Sequence, residues 1–134
     1  MTNLENFRKA NESIRRGDIF FVDLPLDKDT SVQGGCRPCI VVQNDNGNKA
    51  SPNVIVFPLT SKQKQQIPTH ILINAGEAGL KKNSTVMAEN PLTVPKERLK
   101  YYIGRANAHL MNEINNAIMI SFGIIDVDKS LCVC

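Results

Sequence analysis

Apolar positions in this chain keep one kind of period up to Ile103 and another after it. In the first part they alternate with polar residues or run together in short stretches, as strand residues do; in the last part they recur as on one face of a helix. Asp18–Leu24 is the first strand-like stretch, rich in aromatic and β-branched residues and closed by Pro25. Residues 38–43 and 53–59 predict a second and a third strand, and residues 69–73, 84–89 and 99–103 three shorter ones. Polar loops or turns separate them: residues 25–35, the Asn44-Asp45-Asn46-Gly47-Asn48 turn, the polar run after Thr60, the turn marked by Gly76 and Gly79, and the stretch holding Pro91 and Pro95. Leu110, Ile114, Ala117, Ile118 and Ser121 predict a helix over residues 107–122, with Asn107 as its N-cap. A looser pattern through Leu4, Phe7 and Ile14 predicts a short amphipathic helix over residues 3–15.

Many short strands and one terminal helix predict a mainly β fold with α: a small antiparallel barrel or rolled sheet whose open edge the helix covers. At 134 residues and 42% hydrophobic content, the chain fits one domain over residues 1–134. Its core is expected over residues 15–126, between a polar N-terminal extension and a short C-terminal tail. The N-terminal segment lacks the continuous apolar centre of a signal peptide, and no stretch approaches the ~20 apolar residues that span a bilayer. A cytoplasmic protein with no membrane partner is expected. The net charge of +3 permits nucleic-acid binding without arguing for it.

Residues with chemistry stand at the strand ends. Gln33-Gly34-Gly35-Cys36-Arg37-Pro38 leads into Cys39-Ile40-Val41-Val42, so Arg37 sits where a glycine-rich loop becomes a strand, with Pro38 fixing the chain behind it. Thr60 holds the matching junction after the third strand. Forked arginine donors match two phosphate oxygens and a threonine hydroxyl adds another donor, so the pair suits a pentavalent phosphorane. The structural alternatives are an ion pair for Arg37 and a turn cap for Thr60. His70 and His109 offer a different route, paired acid and base catalysis on RNA, although His109 near the helix start reads better as a solvated residue. Lys28, Lys49, Lys62, Lys64, Lys81 and Lys82 form a basic margin for phosphate contacts.

Cys36 and Cys39 with Cys132 and Cys134 have spacings that permit a zinc or redox site. Strand residues three apart face opposite sides, however, so core and edge thiols are expected instead. Neither a metal nor a cofactor is expected.

Three blocks resemble the MazF/PemK/Kid toxins, ribosome-independent and metal-independent endoribonucleases of bacterial toxin–antitoxin systems. They are Arg16-Gly17-Asp18-Ile19-Phe20 with Val22-Asp23-Leu24; Gln33 through Pro38 continuing to Val41-Val42-Gln43-Asn44-Asp45; and residues 55–60, ending in Pro58-Leu59-Thr60. Pro68-Thr69-His70 and the closing helix through Ser121 also fit. The resemblance implies a small SH3-like antiparallel barrel of the CcdB/MazF type with a C-terminal helix, a homodimer, and a groove for single-stranded mRNA. Arg37 and Thr60 match the family's catalytic pair. Contacts to RNA are implied for Ser31, Gln33, Gly34, Gly35, Asn44, Asp45, Ser61, Lys62, His70, Glu89 and Asn90. The implied reaction is attack of a 2′-hydroxyl on the adjacent phosphate, leaving a 2′,3′-cyclic phosphate and a 5′-hydroxyl. The implied partner is a cognate antitoxin whose acidic tail folds over the groove.

Departures bear on specificity. Val32 stands where many members carry an acidic residue, Asn90 replaces a usual glutamine and Leu92 a frequent arginine. Two other readings stay open: a non-catalytic toxin of the same fold acting on a DNA topoisomerase, as CcdB toxins do, and a thiol or zinc protein built on the four cysteines.

Overall fold

β3 (Asn53–Thr60) organises the molecule, because it is wide enough in register to serve three neighbours. The computed structural model describes residues 13–24 and 35–127. Along one edge, β3 pairs antiparallel with β2 (Gly35–Val41), which in turn pairs with β1 (Asp18–Leu24), and β1 with β7 (Leu99–Arg105). The opposite edge is divided. Asn53 to Val56 pair with β6 (Leu92–Pro95), and Leu59 and Thr60 with β5 (Ser84–Met87), which carries β4 (His70–Ile73) beyond it. Pro58, which has no N–H to donate, falls in the gap between those two partners, where a central strand tolerates it.

The resulting order, β4-β5-β3-β2-β1-β7 with β6 on β3, is open at both ends. The fold is therefore the expected mainly antiparallel sheet with a C-terminal helix, and it is barrel-like without being a closed barrel. Both faces of β1, β2 and β3 contribute residues to buried layers, which explains why their sequences read as near-continuous apolar runs. Ile19, Ile40, Phe57 and Leu59 feed one core layer, shared with Leu110, Ile114 and Ala117 of the terminal helix. Phe20, Val22, Cys39, Val41, Val54 and Val56 feed the other. Tyr102 meets Phe20 edge-on in that second layer, with ring centroids 5.6 Å apart.

Helix α2 (Ala108–Ser121) begins where expected, with Asn107 Oδ1 accepting from Leu110 N at 2.8 Å. Its buried residues Leu110, Ile114 and Ala117 lie on one face, as the spacing requires. The segment read as a turn after β2 is instead helix α1 (Asp45–Ala50). Asn44 caps it through Gly47 N at 2.8 Å, and the Asp45 carboxylate accepts from Arg16 N at 2.7 Å. Arg16 also reaches Val42 O and Asn115 Oδ1, tying the chain before β1 to α1 and α2.

β6 was not expected either, since Pro91 and Pro95 bracket it; Pro95 ends the strand, where a missing N–H is tolerated. Most of the helix expected over residues 3–15 lies outside the described residues; within them, residues 13–15 are not helical.

Two glycines fix how the turn after β4 meets β7. A Cβ on Gly104 would overlap the Ala78 carbonyl oxygen, and a Cβ on Gly79, whose φ is +80°, would overlap the Ile103 carbonyl oxygen. The two backbones touch directly. No helix among the described residues is long and apolar enough to cross a membrane.

Candidate active site

Strand pairing assembles the first two candidates. The β2–β3 ladder ends with Cys39 opposite Pro58, and Arg37 and Thr60 lie two residues beyond that last pair on their strands, where Arg37 pairs with Val22 of β1 and Thr60 with Thr85 of β5. Both are half-buried, and both line one pocket of about 790 Å³. Its wall includes Phe21, Pro38 and Tyr101, with Phe21 opposite both Pro38 and Tyr101 in the ladder, and Lys62, Lys81 and Lys82 supply positive charge. Sequence reading had the lysines but not the aromatic wall, because which face of β1 and β7 stays open depends on packing.

Thr60 Oγ1 accepts from Lys62 N at 3.2 Å. The turn-capping role anticipated for it is real, and it is compatible with the expected donor role toward a phosphate. Accepting from an amide occupies an oxygen lone pair, so the hydroxyl hydrogen stays available to donate to a phosphate oxygen.

Ser61 and Lys62 line this pocket and also a second one, of about 910 Å³, formed under residues 61–67 with His70, Leu72, Thr85 and Glu113. His70, at the start of β4, has a largely buried ring with both nitrogens engaged: Nδ1 lies 2.8 Å from Gln65 O and Nε2 lies 2.7 Å from Glu89 Oε2. The other Glu89 oxygen accepts from Thr69 Oγ1 at 3.2 Å. Glu89 and Asn90 follow β5 and line neither pocket; Glu89 joins the site through His70. His109 is solvated on α2 and pairs with Glu113 one turn on, at 2.9 Å.

Other candidates stand apart. Asn44 and Asp45 are occupied in the α1 cap, where the Arg16 N–H holds the Asp45 carboxyl below its ordinary range. Gly35 opens β2 with φ of +101°, a conformation that excludes side chains. Ser31, Gln33 and Gly34 lie outside the described residues, as do Val32, Cys132 and Cys134.

Cys36 is exposed at the pocket and Cys39 is buried in the core, on opposite sides of β2 as strand geometry demands. Burial, reinforced by Asp23, pushes the Cys36 thiol up; burial pushes Cys39 up to about 12 against the pull of Arg37. Both thiols are thus held away from the thiolate that binds metal or attacks disulfides. Among the described residues no three His, Cys, Asp or Glu side chains come together as a ligand set.

A family model described as the PemK-like, MazF-like toxin of type II toxin–antitoxin systems matches residues 15–122. Endoribonuclease MazF of Staphylococcus saprophyticus is 43% identical over 113 residues, covering 83% of this chain and 92% of that protein. Endoribonuclease EndoA of Bacillus subtilis is 39% identical over 115 residues, covering 84% and 97%. Among solved structures, a mycobacterial endoribonuclease in complex with its cognate antitoxin superposes with a TM-score of 0.70 at 25% identity, covering 86% of this chain and 100% of that one. MazF of Deinococcus radiodurans reaches the same TM-score at 20% identity, over 82% and 96%, a likeness of fold. The matched span takes in every described strand and all of α2, and the chain belongs to the PemK/MazF family of type II toxin–antitoxin toxins.

Proposed function

We propose that this toxin is a sequence-specific endoribonuclease that cleaves single-stranded mRNA with no metal ion, cofactor or ribosome, using the RNA's own 2′-hydroxyl as nucleophile. The observation that carries the reading is that Arg37 and Thr60, at the ends of adjacent strands, line one pocket together with Lys62, Lys81 and Lys82. The 2′-oxygen attacks the neighbouring phosphorus, its proton departs to a base, and the bond to the 5′-oxygen breaks as that oxygen gains a proton. Charge builds on the non-bridging oxygens as the phosphorane forms. Arg37 meets two of those oxygens with parallel N–H donors and Thr60 Oγ1–H meets one, held in place by Lys62 N. Lys62, Lys81 and Lys82 take the flanking phosphates. Ser61 and Asn90 contribute RNA contacts, with Gly35 and the residues before it shaping the entry.

Two assembly proposals accompany this one. The large apolar side chains exposed at the end of α2, Phe122, Ile124 and Ile125, support a homodimer. The cationic pocket and the antitoxin bound to the mycobacterial neighbour support a cognate antitoxin that covers the groove with an acidic segment. Both belong to a cytoplasmic protein, where mRNA is at hand.

The test is incubation of the purified protein, sized by light scattering, with a long single-stranded RNA in EDTA, followed by mapping of cut sites and ends. Discrete cuts bearing 2′,3′-cyclic phosphates and 5′-hydroxyls are expected. Intact RNA across many sequences would favour the topoisomerase-binding reading.

A further inference from the structure

Residues 61–69 connect β3 to β4 without regular structure, and residues 61–66 are all exposed, yet this segment delivers Ser61 and Lys62 to the pocket of Arg37 and Thr60. Its near end is pinned by Thr60 Oγ1 to Lys62 N. Its far end is pinned by the backbone, with His70 N donating to Ile67 O at 2.9 Å and Ala88 N donating to Thr69 O at 2.9 Å. The His70 side chain reaches the middle, through Gln65 O. A carbonyl can only accept, so Nδ1 carries a hydrogen, and the ring orientation that this sets delivers Nε2 to Glu89.

We propose that His70 is a positioning residue: its ring braces the middle of this loop against Glu89 and thereby holds Ser61, Lys62 and the Thr60 hydroxyl in the orientation that engages the scissile phosphate, without itself touching RNA. The proposal rests on the ribonuclease reading for its catalytic consequence but not for the brace. The burial of the ring supports it, because a side chain 10% exposed with both nitrogens already bonded offers a ligand little surface. It also gives Glu89 a role as the far abutment, fixed in turn by Thr69 Oγ1.

Two amides separate the parts. His70→Asn places an N–H donor near the position of Nδ1 and keeps the tie to Gln65; His70→Gln reaches toward Glu89 and loses it. The loop carries its own reporter, since trypsin cuts after Lys62 and Lys64. In RNA-free protein, His70→Ala and His70→Gln are expected to be nicked at those two lysines about tenfold faster than wild type. Their kcat/KM for RNA cleavage is expected to fall by roughly ten- to a hundredfold, and His70→Asn should restore most of both. Wild-type nicking rates in His70→Ala would overturn the brace. A protected loop in His70→Asn with cleavage as poor as in His70→Ala would overturn the indirect role and place the ring on the RNA. Should wild type leave all RNA intact, the ribonuclease reading fails while the nicking comparison still decides the brace.

Discussion

Replacing Arg37 by alanine should abolish RNA cleavage while leaving a folded protein. In the proposed reaction the guanidinium faces the charge that builds on the phosphorane, and a single preorganised donor to a developing oxyanion is commonly worth about 10²–10³ in rate. With two parallel donors lost, a fall in kcat on the order of 10³ or more is expected, about 4 kcal/mol of transition-state stabilisation. Arg37→Lys keeps the charge without the fork and should fall between, roughly 10²-fold down. Arg37 is half-buried near the start of β2, where it pairs with Val22 of β1 and precedes the β3 ladder, so thermal stability should shift by about 1 kcal/mol or less. Single-turnover cleavage and circular-dichroism melts measure the two effects separately. A variant that keeps wild-type turnover removes Arg37 from the chemistry, and one that unfolds would show the residue to be structural.

Gly104→Ala should cost the fold far more stability than a methyl group added at a glycine with open space around it. The new Cβ would collide with the Ala78 carbonyl oxygen, a backbone atom that cannot swing aside as a side-chain tip does. Relief requires the turn holding Ala78 and Gly79 to lift away from β7, and overpacking of this kind costs ~3 kcal/mol, about 10 °C in melting temperature for a chain of this size. Gly76→Ala is the comparison. Its φ of +93° strains an alanine, but nothing lies within 4 Å of the added atom, so only the conformational cost of about 1 kcal/mol applies. Equal melting temperatures for the two variants would refute the close-contact account. Because Gly79, Lys81 and Lys82 line the same pocket as Arg37, lifting the turn should also weaken RNA binding in whatever fraction of Gly104→Ala remains folded.

Local patterns made part of this legible in the sequence. β1, β3 and α2 were readable because their determinants lie within themselves: runs of β-branched residues in the strands, and in α2 one apolar stripe with Asn107 before it. α1 was not, because Asn44-Asp45-Asn46-Gly47 favours a turn and the group that steadies Asp45 comes from Arg16, 29 residues earlier. Asn44 and Asp45, for which the resemblance implies RNA contacts, also serve α1, Asn44 through the nearby Gly47 N and Asp45 through Arg16. Arg37 and Thr60 were each visible at a strand end, but that they line one pocket depends on how β2 and β3 pair, which no window on the sequence contains. His70 and Glu89 were both singled out, yet their pairing across 19 positions and the hold on Gln65 emerge only when β4 and β5 lie side by side.

The division of β3 between two partners, with Pro58 in the gap, has a bearing on how this protein tolerates change. A strand cannot slide by half a step: a one-residue slip against β2 turns Phe57 and Leu59 out of one core layer and Val54 and Val56 out of the other. Arg37 and Thr60 continue the two strands of that ladder just past its last pair, so a slip displaces them by whole residues as well. Damage to the core should therefore reduce the number of competent molecules while each survivor keeps full catalytic vigour, and the dose of active toxin, more than its potency, is what a weakened fold would change.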